Sequence, residues 1–355
     1  MSGFPTEPPG GHFRREIAQQ PEALRRLLAD RAELAAAARA LVRRAPALVR
    51  VVGHGSSDNA ASYAVYAFGL LAGQTAFRDS ISLAVYYGVD HDLGRSAVVA
   101  LSQSGRTRDV VAYVERARSR GALTIALTNE PESELGQAAE IAVPLVAGPE
   151  HAVAATKTYT NQLAALALLA ASAGGCEREV SEGLRRVAEL QAASLDRLQR
   201  AVAPAAVPFA FVGRLFAIGR GIEFATAREI ALKLTETCRI AAEPLTATDL
   251  AHGPVAALDP LFPVWVVAAR DGLLPAVVEA SARARAAGAT LIASGDAAAE
   301  IAGAEVVLPV PTAPAPILGP LLSVVPGQLF AAAVAQAKGL DPDCPVGLEK
   351  VTLVA

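Results

Sequence analysis

Glu229, Lys233 and Glu236 follow one another at steps of four and three, so on a helix an acid, an amine and a second acid share one face. On a surface helix such a row is an ordinary solvated ion-pair ladder. Here the neighbours Ala231, Leu232 and Leu234 make the helix largely apolar, which sets the row against that reading and makes it a candidate for chemistry. Sixteen residues after Glu236 comes His252, on a turn before Gly253 and Pro254, a placement from which a side chain can reach a ligand. A carboxylate and an imidazole are the two groups needed for ring opening and for proton transfer beside a carbonyl. Lys350 stands in an otherwise apolar end, Leu348 to Thr352. It is either a solvated lysine or, partly desolvated, an amine able to lose its proton and form a Schiff base.

A second group of candidates lies on Leu101-Ser102-Gln103-Ser104-Gly105-Arg106-Thr107. The apolar run 97–101 leads into it and a helical pattern from Asp109 follows, which reads as a buried parallel strand, a hydroxyl-rich turn and a helix. The turn offers the hydroxyls of Ser102, Ser104 and Thr107, the Gln103 amide and the N–H groups of the coming helix, a setting that suits a phosphate. Taken alone, the same residues also describe a serine-rich helix cap. Ser57, on the turn after the strand 48–52, adds a further hydroxyl. Several neutral donors without clustered Lys or Arg fit a sugar phosphate better than a nucleoside triphosphate. No G-x-x-x-x-G-K-[ST] is present, and Gly53-x-Gly55 is too little for a dinucleotide fingerprint.

The elements that must carry these residues alternate strand and helix. After a Pro- and Gly-rich arm over 1–11, residues 12–45 read as two helices, the second started by Pro21 in its first turn. Strands are expected at 48–52, 82–85, 97–101, 123–127 and 141–145, with Pro144 marking an edge or an end. Helices are expected at 59–72, 109–120 and 156–171. The pattern then repeats at an offset of about 166 residues: Phe216 to Gly221 answers Val51 to Gly55, Val264 to Gly272 answers the central strand and turn, Arg283 to Gly288 answers Arg116 to Gly121, and Gly327-Gln328-Leu329 answers Asn161-Gln162-Leu163. The expected architecture is α/β, two tandem doubly wound parallel sheets. The boundaries are an N-terminal arm and helices over 1–46, a first domain over 47–176, a helical linker over 177–205, a second domain over 206–340 and a tail over 341–355. The first copy keeps its hydroxyl-rich turns. The second carries Arg270-Asp271-Gly272 in place of Gln103-Ser104-Gly105, so it must contribute something other than phosphate binding.

Composition narrows the function classes. With 52% hydrophobic and 19% charged residues the chain can bury sizeable cores, and a net charge of −3 argues against a nucleic-acid surface. Cys176, Cys238 and Cys344 are far apart and the five histidines form no ligand pair, so no disulfide framework, metal or cofactor is expected, and a reducing cytoplasm fits. The apolar stretch Leu163 to Ala173 is shorter than the about 20 residues a bilayer needs, and no membrane partner is expected.

Together the stretches Gly53-His54-Gly55-Ser56-Ser57, Ser102-Gln103-Ser104-Gly105, Ala155-Thr156-Lys157, Lys233-Leu234-x-Glu236, His252-Gly253-Pro254 and Leu348-x-Lys350 resemble the sugar isomerase (SIS) family over about residues 45–355. Within it the chain is similar to the isomerase half of glucosamine-6-phosphate synthase and to the stand-alone, synthase-like glucosamine-6-phosphate deaminases. The resemblance implies that Ser57, Ser102, Gln103, Ser104 and Thr107 hold a sugar phosphate and that the backbone near Val153 touches sugar hydroxyls. It implies Glu236 as the base between sugar C1 and C2, Lys233 at the reacting end and Lys350 as the Schiff-base lysine. His252 would be the ring-opening catalyst, reaching in from a neighbouring subunit, so a homodimer with shared active sites is implied. The synthases carry an N-terminal glutaminase domain with a nucleophilic cysteine; no cysteine precedes Cys176 here, so glutamine-dependent synthesis is not expected of this chain. Ala155 stands where the synthases usually have Ser, and the Gly-Ser-Ser-Asp-Asn wording is closer to the deaminases. The expected reaction is glucosamine 6-phosphate plus water to fructose 6-phosphate plus ammonia. The alternatives are a deglycase or deaminase for another 6-phosphorylated aminated sugar (fructosamine or galactosamine 6-phosphate), or a non-catalytic sugar-phosphate sensor.

Overall fold

A computed structural model describes residues 9–89 and 92–350; part of the proposed arm, His91 and the last five residues of the tail lie outside that range. The chain opens with α1 (Gly11–Ala18), α2 (Gln20–Ala29) and α3 (Ala32–Arg44). Pro21 falls in the first turn of α2 as expected, but there are three helices rather than two. The extra break follows Leu28, where the next apolar residue of the repeat, Leu34, comes six positions on and the helical spacing lapses.

The first copy runs β1 (Leu48–Val52), α4 (Ser56–Ala72), β2 (Ala76–Arg78), α5 (Ile81–Val85), β3 (Ser96–Leu101), α6 (Arg108–Ser119), β4 (Leu123–Thr128), α7 (Glu134–Ala138), β5 (Ile141–Pro144) and α8 (Lys157–Gly174). Two expectations fail here. Residues 82–85 are helix, not strand: Ile81 and Ala84, three apart, are buried while Leu83 is exposed. The missing strand is β2, only three residues long and too short to show a period. Helix α4 begins at Ser56 rather than Asn59, because Gly55 takes a positive φ of 56° and the chain turns directly into the helix. Ser57 therefore sits in the first helical turn, not ahead of it.

Helix α9 (Glu177–Ala206) follows and carries Pro204 within its last turn instead of stopping before it. The second copy comprises β6 (Arg214–Gly219), α10 (Glu223–Cys238), β7 (Ala241–Thr246), β8 (Pro263–Val267), α11 (Leu274–Ala286), β9 (Thr290–Gly295), β10 (Val306–Pro309) and α12 (Gly319–Ala337). The two sheets are β2-β1-β3-β4-β5 and β10-β9-β8-β6-β7, parallel throughout. Read from the other edge, the second is 7-6-8-9-10, the same order as the first, so both copies share one doubly wound topology. Pro144 ends the edge strand β5, as expected.

By contacts, the described chain divides into two compact units that cut across linear order. One contains the first sheet, with residues 22–148 and 157–188; the other contains the second sheet, with residues 9–21, 149–156 and 189–350. In the first unit β3 and β4 are buried along their whole length, and α8 packs on α4 and α3. In the second, β8 is fully buried and α10 packs on α12. Gly327 of α12 allows that approach, since a Cβ there would come within 2.3 Å of Ile230 Cγ1. Residues Pro316–Ala337 hold a longer apolar stretch than Leu163 to Ala173, with a mean hydropathy of 1.8 over an 18-residue window, enough by composition to cross a membrane, but 89% of that window is buried inside the protein. It is a core helix of the second unit.

Candidate active site

In the order 2-1-3-4-5 the chain reverses direction between β1 and β3, the place where open α/β sheets bind ligands beyond the carboxyl ends of their strands. The first turn of α4, which follows β1, carries Ser57, and the turn after β3 carries Ser102–Thr107. Gly105 has a φ of 64°, and a Cβ on it would come within 1.8 Å of Ser133 Oγ, so the turn is wound tightly over α7. Ser102 Oγ accepts the Gly105 N–H at 3.1 Å and lies 3.2 Å from Thr107 Oγ1, while Ser104 Oγ accepts the Arg106 N–H at 3.3 Å. The Gln103 carbonyl takes the Asn129 N–H at 3.1 Å, and its half-buried side-chain amide makes no hydrogen bond among the described residues. Ser57 Oγ accepts Gln162 Nε2 at 2.9 Å. His54 Nε2 lies 2.7 Å from the Asp109 carboxylate at the start of α6. Thr107, the N-cap of α6, makes no side-chain cap. The serines shape the turn rather than cap α6, whose Val110 N–H is taken by Asp109 Oδ1 at 2.9 Å; the N–H groups ahead of it stand at a helix start, a place that suits an anion.

The second unit holds the charged row. Lys233 is fully buried, with Nζ 3.4 Å from Glu229 Oε1 and 2.5 Å from Glu236 Oε2. Burial pulls the lysine toward its neutral form, but the charges of Glu229, Glu236 and Glu150 outweigh it, and its pKa is raised above the ordinary lysine value. Glu229 is fully buried, whereas Glu236 keeps 22% of its side chain exposed. The row is thus a buried charge cluster with one carboxylate reaching out, not a solvated ladder.

Lys350 meets a further member, Glu150, on the loop that also carries Val153, and the sequence reading missed it. Its Oε1 accepts the Thr156 N–H at 3.0 Å, and its Oε2 faces Lys350 Nζ at 3.3 Å. Lys350 also donates to the Ala152 carbonyl at 2.6 Å, and Val153 N–H donates to the Asp343 carbonyl at 3.4 Å. The second unit thereby brings together Lys233 and Glu236, and Lys350 with the loop of Val153, the two sets linked by the charge of Glu150. It does not bring His252 to them: that side chain is exposed on the turn Asp249–His252, with no hydrogen bond or ion pair to the cluster.

Residues 48–172 and 209–337 each match the SIS domain. The chain belongs to the SIS domain family. It is 36% identical over 361 residues to the glutamine-fructose-6-phosphate aminotransferase (isomerizing) of Aeropyrum pernix, covering 97% of this chain and 57% of that protein. The chain spans about half the length of the curated relatives it matches. A crystal structure from Silicibacter pomeroyi, of a protein named only as a candidate phosphosugar isomerase, superposes with a TM-score of 0.81 at 33% identity, over 94% of this chain and 99% of that one. The C-terminal domain of the glucosamine-fructose-6-phosphate aminotransferase of Francisella tularensis gives a TM-score of 0.85 at 27% identity, over 94% and 98%.

The second SIS copy has changed the character of its own turn. At the positions answering Ser57, Ser102, Gln103 and Ser104 it carries Glu223, Ala269, Arg270 and Asp271. They line a cavity of ≈ 170 Å³ together with Asp296 and Ser323. Three carboxylates make this counterpart unsuitable for a phosphate, while Arg270 is occupied by Glu300. Burial pushes the Glu223 carboxyl up to about 7, helped by Asp296 and Asp271 and opposed by hydrogen bonds from Thr226 and Ser323. An acid whose pKa is raised by folding favours the folded state at low pH and loses that contribution as pH rises toward the folded value. The loss runs from about 4.5 to about 7 and amounts to ~3 kcal/mol. A Glu223→Gln variant keeps the shape without the charge. Its unfolding free energy should gain on the native chain by up to that amount between pH 5 and pH 8; an equal gap at both pH values would show that Glu223 is not held neutral.

Glu150 escaped the sequence reading because its partner Lys350 is 200 residues away. The one local sign is an acid set among Ala, Gly and Pro in a largely apolar segment, Val143 to Ala155.

Proposed function

We propose that the chain is an aldose–ketose isomerase acting on a 6-phosphorylated amino sugar, converting glucosamine 6-phosphate and water to fructose 6-phosphate and ammonia. The observation that carries the reading is the pairing of partly exposed Glu236 with fully buried Lys233 at 2.5 Å, a carboxylate presented from α10 beside a buried amine. Ser57, Ser102, Gln103, Ser104 and Thr107 hold the phosphate through hydroxyls, the amide and helix N–H groups. His252 opens the ring. Its exposure and its lack of a partner in the cluster fit a role toward a second copy of the chain, and so a homodimer. Glu236 takes the proton from C2 and returns it to C1, leaving an imine at C2. Lys233 steadies charge on the reacting end and Val153 offers backbone to sugar hydroxyls, while the Lys350 amine adds to the C2 imine and displaces ammonia, leaving a lysine Schiff base that water hydrolyses to fructose 6-phosphate and the free amine.

The test is ammonia release from purified protein given glucosamine 6-phosphate, with fructose 6-phosphate measured alongside. Equal production of both is the expected result. Absence of both products, with thermal stabilisation by the sugar phosphate, would move the substrate to another aminated sugar phosphate. Failure of a panel of those as well would leave a sensor.

A further inference from the structure

We propose that α1 is a splint that holds the 149–156 loop and Lys350 in register, with Glu16 and Asp343 as positioning residues. The Glu16 carboxylate, 1% exposed, accepts two consecutive N–H groups of the loop, His151 at 2.5 Å and Ala152 at 3.2 Å. Burying a carboxylate is unfavourable unless such bonds satisfy it, so the place of the peptide is sharply set. The carbonyl of the same Ala152 receives Lys350 Nζ at 2.6 Å, which puts Glu16 one residue's backbone away from the amine.

The other end of α1 is tied to the tail. Gly10 at its N-cap has no capping side chain, and Asp343 takes the cap's place: Oδ2 accepts the His12 N–H at 3.0 Å and Oδ1 the Phe13 N–H at 2.7 Å. Asp341 Oδ1 accepts the N–H groups of Gly10 at 2.9 Å and Asp343 at 3.0 Å. Phe13 and Ile17 of α1 are buried, and the helix packs on α12. One short helix, anchored on the core, thus grips the loop through Glu16 and the tail through Asp343. The loop in turn meets the tail through Glu150–Lys350 and the Val153–Asp343 bond.

The importance for turnover rests on the reading of Lys350 as a reacting amine; the docking itself does not. The experiment compares Glu16→Gln and Asp343→Asn with the native chain, so that two variants at opposite ends of α1 remain if one fails to fold. Lys350 accessibility is read by reductive methylation with formaldehyde and cyanoborohydride and peptide mass. Turnover is read as kcat and KM for the sugar phosphate. Lys350 should be modified several-fold faster in both variants, with kcat falling at least about tenfold and KM within about twofold, since a misplaced group costs rate rather than phosphate binding. Unchanged Lys350 labelling in the folded variants overturns the splint, as does faster labelling with unchanged kcat in an active protein. If the native chain turns over no aminated sugar phosphate, the functional reading fails, and the labelling comparison still decides the splint.

Discussion

A Glu236→Gln variant should lose turnover by about 10²–10⁴-fold while still binding the sugar phosphate. Gln has the shape of Glu and keeps an oxygen near Lys233, but it cannot take a proton from carbon. Lys233 retains Glu229 at 3.4 Å, so the charge cluster in α10 keeps a counter-ion and the fold should survive. Ser57 at the start of α4 and the serine-rich turn between β3 and α6 belong to the other compact unit. The comparison is ammonia release against ligand-induced thermal stabilisation. Loss of the first with retention of the second supports Glu236 as the base, whereas unchanged turnover would falsify that assignment and with it the reaction proposed above.

What could be read from the residues follows from the range of the interactions involved. Strands β1, β3 and β4 are apolar runs bounded by turns, and they stand out because a parallel sheet covered on both sides demands such runs. Strand β2 has three residues and no such signature, and the one-turn helix α5 was mistaken for it because four residues do not distinguish the two periods. The shared face of Glu229, Lys233 and Glu236 was legible because helical spacing is local. That the face is buried rather than solvated was legible only from its apolar neighbours. The grip on the loop was not legible at all: Glu16 reaches Ala152 across 136 residues, and Asp343 reaches Phe13 across 330. Such partners leave no periodic trace, and an isolated acid in a small-residue loop does not name the backbone it will receive. The repeat foresaw the shared sheet order, but not that residues 9–21 and 149–156 would join the unit of the second copy.

Replacing Lys233 with Met should destabilise the protein by about 3–5 kcal/mol, the range found when one partner of a buried pair is removed. Met fills most of the lysine volume, so the effect is not a cavity. It is the fate of Glu229, whose side chain has no exposure and which would lose Lys233 while Glu236 and Glu150 keep their charges. The measurement is urea unfolding, read as a lower midpoint at an unchanged slope. A double variant, Glu229→Gln with Lys233→Met, separates the causes. Removing both buried charges should recover a large part of the loss, because the penalty belongs to a buried carboxylate that has lost its lysine and not to a missing attraction. If the double variant is as unstable as Lys233→Met alone, the lysine's worth lies in its packing or in Glu236. Turnover should stay low in the double variant in either case, since the amine beside the proposed base, Glu236, is gone. Recovered stability without recovered rate is thus the outcome expected of a cluster that is retained for chemistry at the expense of the fold.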